Sequence, residues 1–373
     1  MGKKDIIVAV HKAENREDSD YNILSSFSDG LLNGFRQIGI KAYTTQECNA
    51  DKIPFNIAIG FDNAGIEHWQ HILSNNITNI MWSSNSVFAK NFDTIKQFVS
   101  FDKFIVFETT PADNPPLTKY LPELKHGYIP QAVDLDLWKN MHTKKEIDIV
   151  YFSPMIDIEG KLKELKETMP ELVFNLMMQI YELTMKNPNH TFWQIASAVT
   201  DSYGLTIDIE QYLLLFKNIS ELAMYEQKAQ MIQKLSDFDV RIYGSGPWEK
   251  YIKGNVKYMG QCSVEESIDI MNKSKISLYC HPMQQGLGIH QTILNASAAG
   301  TFSLVSDSPS IKAEFTDSLG YFNHSSFEDI ADKAAYYLAN EDERLKMTDK
   351  AFDITKERHT WACRAKSIME IVD

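Results

Sequence analysis

The sequence predicts an α/β protein built from two Rossmann-like, doubly wound domains in tandem, the second carrying a helical insertion. Three observations carry this expectation. Short apolar runs alternate with helix-like stretches through the first 135 residues. The alternation resumes at 146 and continues to the end. A long helical region, about 160–235, interrupts the second block. Short runs between helices mean βαβ units and a parallel sheet covered on both faces.

In the first block the strands are expected at 5–10 "DIIVAV", 40–45 "IKAYTT", 55–61 "FNIAIGF", 77–83 "ITNIMWS" and 103–108 "KFIVFE". Helices are expected over 24–38, 64–74 and 91–98; in the first, Leu24, Phe27, Leu31 and Phe35 share one face. The stretch 126–138, "HGYIPQAVDLDLW", has a proline and no clear period, and reads as a loop or domain joint. The second block opens with a strand at 146–154. Its helical region is broken at Pro170, at 187–190 and at 202–204. Strands follow at 239–244, 255–260, 275–280, 301–306 and 320–322, with helices at 263–273 and near 290–299. Ser263-x-x-Glu266 and Ser326-x-x-Asp329 are expected capping boxes. The tail, 341–372, reads as helical. The expected divisions are 1–135, 136–350 and a final helix in 351–373.

The chain has 373 residues, 44% hydrophobic and 23% charged, enough to bury large cores. Its formal net charge of −13 disfavours nucleic acid and anionic membrane as partners, because the phosphate interaction would be repulsive. Cys48, Cys262, Cys280 and Cys363 are widely spaced and form no CxxC pair, which reads as reduced core thiols. The apolar run at Ile6–Val10 is too short for a signal peptide, and no stretch reaches a membrane span. A cytoplasmic protein is expected, with any membrane contact peripheral. No metal site is expected: the only "DLD", at 134–136, reads as a turn.

Three stretches carry chemistry. "RIYGSGPW", 241–248, places Gly244 and Gly246 directly after a strand, with Tyr243 and Ser245 beside them; such glycines let backbone N–H groups approach a phosphate or a base, or simply make a turn. Met259 and Gly260 repeat the pattern ahead of a capped helix. "HPMQQGLGIHQTILNASAAG", 281–300, gathers His281, Gln285, Gly286, Leu287, Gly288, His290, Thr292 and Asn295 around a helix start. N–H groups there, with the positive end of the helix dipole, favour a diphosphate. Asn295 lies far enough into the helix to reach a sugar hydroxyl. Lys161 and Lys163, at a helix start, and His290 are the candidate cations; for each lysine a solvated helix face is the competing reading. In the first block, His11, Asp62, Ser83, Asn85 and Glu108 follow apolar runs. His11, Asp62 and Glu108 are the candidates for a catalytic base.

From 126 to 373 the pieces "HGYIPQAVDLDLW", "VRIYGSGPW", "VKYMG", "IMNKSKISLYC", "ILNASAAGTFSLVSD" and "RHTWACRAKSIME" resemble the donor-binding domain of GT-B glycosyltransferases, and most closely the CgeB-like, spore-maturation-protein-like group. The resemblance implies a nucleotide-diphosphate sugar, UDP- or GDP-linked, as co-substrate in the second domain, with no permanent cofactor. It implies an acceptor on the first domain and a last helix, after His359, that returns to the first domain. Related retaining enzymes carry E-x-F-G before the donor helix and a Glu inside it. Here Gln285 and Asn295 stand at those places, and an uncharged amide makes weaker bonds to a ribose diol.

The leading expectation is therefore a metal-independent glycosyltransferase acting on a glycan, lipid-linked glycan or protein. The alternatives are a catalytically inactive nucleotide-sugar-binding module and a phage-type enzyme that modifies DNA bases. The apolar excess at 172–185 and 212–222 reads as packing within the chain, with a homodimer contact as the alternative.

Overall fold

The computed structural model describes residues 6–12, 19–282 and 287–372. Its described residues form twelve strands, all in two six-stranded parallel sheets. The first sheet comprises β1 (Ile7–Val10), β2 (Lys41–Thr44), β3 (Ile57–Phe61), β4 (Thr78–Trp82), β5 (Phe104–Glu108) and β6 (Lys125–Tyr128). The second comprises β7 (Ile147–Phe152), β8 (Val240–Tyr243), β9 (Lys257–Tyr258), β10 (Ser274–Tyr279), β11 (Phe302–Ser306) and β12 (Gly320–Phe322). The α/β, doubly wound class is as the sequence predicts.

The first sheet runs β2-β1-β3-β4-β5-β6 and the second β12-β11-β10-β7-β8-β9. In each, the winding direction reverses once, between β1 and β3 and between β7 and β10. Ligands of open α/β sheets bind beyond the carboxyl ends of strands at such reversals. The strands are continuous apolar runs because helices cover both faces: β3 and β11 are buried throughout.

Two compact units result. One comprises Met1–Leu137, Gly288–Gln291 and Thr355–Asp373; the other comprises Trp138–Leu287 and Thr292–Ile354. The core of the first unit is closed by the last helix, Trp361–Val372, which packs along the helix Ser19–Gln37. Gly30 and Gly34 leave room there for Trp361, since a Cβ at either would overlap its indole or its backbone. The indole is 5% exposed and lies 5.5 Å from Phe27, 5.9 Å from Phe61 and 5.9 Å from Trp82. At the start of this helix Thr360 pairs with Val133 as an isolated bridge, and Arg364 donates to the carbonyls of Pro130 and Gln131.

The structure corrects two local expectations. Residues 125–128 form edge strand β6 where a loop is expected; pairing with β5, Ile105 opposite Lys125 through Glu108 opposite Tyr128, supplies an order that "KHGY" does not advertise. The capping box at Ser263 forms in full, but the one at Ser326 does not. Phe327 is buried against Phe322 with φ 54°, which turns the chain, so Asp329 accepts from Asn323 N instead and the helix starts at Ile330. The tail is helical as expected, after the helix Ile330–Ala339, in Glu341–Arg358 and Trp361–Val372. The region after β7 is four helices, Ile158–Thr168, Glu171–Lys186, Phe192–Ser202 and Ile209–Gln233.

Trp361→Ala removes an indole that three aromatic groups and two glycines are arranged around. We expect a loss of about 3–5 kcal/mol in unfolding free energy, read by urea denaturation.

Candidate functional site

Of the donor-side residues named by the sequence, Lys161, Tyr243–Gly246, Met259, Gly260, His281, Leu287, Thr292 and Asn295 belong to the second unit, and Gly288 and His290 to the first. β7 exits into Ser153-Pro154-Met155, and β8 into Gly244-Ser245-Gly246. The two exits are laced together: Ser153 N donates to Tyr243 O at 2.8 Å and Met155 N to Ser245 O at 2.9 Å. A Cβ at Gly244 or Gly246 would overlap the carbonyl oxygens of Ser153 and Met155, and both glycines have positive φ. This close approach alone accounts for the glycine pair. Tyr243 stacks on Phe152 at 5.6 Å. Past β9, Met259 is 46% exposed and Gly260 faces open space.

β10 exits into Cys280 and His281, both buried. Backbone N–H of His281 donates to Ser306 Oγ at 2.7 Å, tying the β10 exit to the end of β11. Its Nδ1 lies 3.4 Å from the Tyr279 hydroxyl. Gln285 and Gly286 lie outside the described residues. Leu287 and His290 are half-buried and Gly288 is buried. The helix that follows is Gln291–Ala298. Thr292 is half-buried in its first turn, and Asn295, one turn in, is 9% exposed. Of the N–H groups expected to be open at this helix start, that of Gln291 is already engaged, at 2.8 Å from Gln131 Oε1. Lys161 and Lys163 sit in the helix Ile158–Thr168 and pair with Glu164 at 3.4 Å and Glu167 at 4.0 Å.

In the first unit His11, Asp62, Ser83 and Asn85 follow β1, β3 and β4, and Glu108 is the last residue of β5. His11 and Asp62 thus sit at the reversal of winding. His11 is buried beside His68, rings 6.4 Å apart, and its Nε2 has no partner. Burial, with a smaller contribution from His68, holds its pKa down at about 4. The Asp62 carboxylate is fully engaged: it accepts from Ser84 N at 2.9 Å, Ser84 Oγ at 2.6 Å and Asn91 Nδ2 at 2.8 Å. It positions the β4 exit and has little capacity left to take a substrate proton. Ser83 Oγ donates to Asn85 O, and Asn85 Oδ1 accepts from Ser86 N. Glu108 is 0% exposed, with Oε1 at 2.7 Å from His126 Nδ1 and Oε2 without a partner.

Sequence reasoning missed several of these partners. Asp113, buried and held well above the usual carboxylate range by burial, accepts from Ser86 Oγ and Val87 N. Ser84, Asn91, His126 and Gln131 were also unread. The only signal was polar density just past strand ends, as in "ETTPADN" at 108–114. Among the described residues, no group of three or more His, Cys, Asp or Glu is arranged to hold a metal ion.

The family model described as glycosyl transferase-like matches residues 221–370. The matched stretch takes in parts of both compact units. Solved structures align over nearly the whole chain. A DNA-modifying β-glucosyltransferase, studied with and without UDP-glucose, aligns at TM-score 0.56 and 10% identity, covering 99% of this chain and 100% of that one. Sucrose-phosphate synthase from Thermosynechococcus elongatus aligns at 0.55 and 9%, covering 98% and 97%. The Anabaena protein HepE in complex with UDP-glucose aligns at 0.53 and 8%, covering 98% of each. At such identities the likeness is one of fold, and the fold is that of the GT-B glycosyltransferases. No curated protein matches the chain significantly by sequence. No helix among the described residues is long and apolar enough to cross a membrane.

The buried histidines generate a pH prediction. Burial lowers His11 to about 4 and His324 to about 3. Below about pH 6.5 the unfolded imidazoles bind protons that the folded ones refuse, so stability falls as pH drops from about 6.5 toward 4. Each ring contributes up to about 3 kcal/mol to that loss at pH 4. The difference in urea-unfolding free energy between pH 7 and pH 4 should shrink by that order in His11→Gln; an unchanged difference refutes the assignment.

Proposed function

We propose that the chain is a glycosyltransferase of the CgeB-like group. It transfers a sugar from a UDP- or GDP-linked donor to a glycan, lipid-linked glycan or protein acceptor, in the cytoplasm and without a metal ion. What carries this reading is that the glycosyl transferase-like match, 221–370, spans every proposed donor contact except Lys161. Those contacts run from Tyr243 through Gly260 and His281 to Asn295. In this reading Asn295 hydrogen-bonds the ribose hydroxyls, and the exposed Met259 with Gly260 leaves room for the base. The first unit, residues 1–135 above all, takes the acceptor.

The candidates for the acceptor's base rank differently once their partners are counted. Asp62 has three donors on its carboxylate, and His11 is held neutral but weakly basic. Glu108 keeps one oxygen without a partner, so it is the strongest of the three. A DNA acceptor is disfavoured by the net charge of −13, although DNA-modifying enzymes share the fold.

Two measurements test the proposal. Incubation with UDP- or GDP-sugars without acceptor should release free nucleotide slowly; complete absence of release, with binding retained, supports an inactive module instead. One such donor should raise the apparent melting temperature by mass action. Asn295→Ala should abolish most of that rise, and an unchanged rise removes Asn295 from the ribose site. A gel shift on duplex DNA should be negative.

A further inference from the structure

The segment Gly288–Gln291 is part of the first unit, although the chain on either side of it belongs to the second. One side chain of the first unit holds it. Gln131, 6% exposed, accepts from Gln291 N on its Oε1 at 2.8 Å. Its Nε2 donates to Ser84 O at 2.9 Å. Gln291 is the first residue of the helix that carries Thr292 and Asn295. The first N–H of a helix has no partner within the helix itself. Here that N–H is met by a residue 160 positions away in the chain.

The two bonds fix which way the amide points. A peptide N–H only donates and a peptide carbonyl only accepts, so Oε1 must face Gln291 and Nε2 must face Ser84. Ser84 is itself held: its N and Oγ both donate to the Asp62 carboxylate, at 2.9 and 2.6 Å. Asp62 directly follows β3, and its φ of 50° lies in the left-handed region, which residues other than glycine rarely adopt. Asp62, Ser84, Gln131 and Gln291 thus form one hydrogen-bonded chain from the exit of β3 to the helix start. The backbone at Gln131 does not depend on its side chain. Arg364 Nη2 donates to Gln131 O at 2.9 Å, and Val133 N donates to His359 O at 2.9 Å.

We propose that Gln131 is a positioning residue for donor binding: its amide sets the place of the helix start, and so of Thr292 and Asn295. That use rests on the glycosyltransferase reading; the tie to Gln291 does not. A side chain that only filled space could be exchanged for one of like shape, whereas this role demands an acceptor and a donor together. It also gives the Asp62 carboxylate a task other than proton transfer, that of holding Ser84 for Gln131.

The experiment compares wild type, Gln131→Met and Gln131→Glu. Met keeps the length of the side chain and removes both bonds. Glu keeps an acceptor for Gln291 N; ionised, it has nothing to donate to Ser84 O, and protonated, it donates as the amide does. Burial favours the protonated form, so the variants are measured at about pH 8 and about pH 6. The readouts are hydrogen exchange of peptides spanning 288–296 and calorimetric titration with UDP and with GDP. Gln131→Met should speed exchange at 288–296 about tenfold and leave peptides of the first five strands as in wild type. It should bind the better nucleotide about tenfold more weakly. Relative to wild type at the same pH, Gln131→Glu should match Met at the higher pH and recover most of the affinity at the lower. Should Gln131→Met not fold, the Gln131→Glu contrast decides alone. Nucleotide affinity equal in wild type and Gln131→Met keeps the glycosyltransferase reading and overturns the positioning role. Weaker binding with unchanged exchange at 288–296 overturns it too, because the loss then does not pass through the helix start. So does a Glu variant that gains nothing at the lower pH. Faster exchange in Gln131→Met, with neither nucleotide bound by wild type, upholds the tie and removes the glycosyltransferase reading.

Discussion

β7 is paired on both sides. Ile149 lies opposite Ile276 of β10 on one flank and opposite Val240 of β8 on the other. Right-handed crossovers leave such a strand in opposite directions, one set of helices on each face. In open α/β sheets the exit loops of two such strands diverge and leave a crevice beyond their carboxyl ends. Apolar strands hold it rigid, Ser306 fixes the β10 exit by one hydrogen bond, and the Gly244–Gly246 turn locks the β8 exit to the β7 exit. A site at a winding reversal needs few dedicated residues, because the backbone supplies the concavity.

Desolvation is the second constraint. The two sheets bury polar groups at their carboxyl ends that the fold itself does not satisfy: His11 Nε2, Glu108 Oε2 and His324 Nδ1. A core chosen for stability alone would carry apolar side chains at these positions, since each unsatisfied buried group costs free energy. Their collection past strand ends is what a ligand site requires.

Much of this was legible from the chain. Every strand of the first five, Ile7–Val10 to Phe104–Glu108, announces itself as an apolar run, because parallel strands are buried on both faces and the signal is hydrophobicity itself. β6 did not, because an edge strand of four residues draws its order from pairing with β5 rather than from composition. The Ser263 box could be read because capping is local; the Ser326 box misled because burial of Phe327, a tertiary effect, outweighs it. At the sites, residues that follow strands were found by position alone. The glycine pair at 244 and 246 was visible, but its reason was not: it makes way for the backbone of residues 153–155.

The first unit is completed by Thr355–Asp373, with roughly 220 residues of chain between Leu137 and Trp361. A ribosome adding about 5–20 residues per second takes on the order of tens of seconds to cover that distance. Through this interval the surface of Phe27, Phe61 and Trp82 that receives the indole has nothing to cover it. The second unit, whose residues are all made by 354, is then the one positioned to fold during synthesis, and the amino-terminal unit matures last.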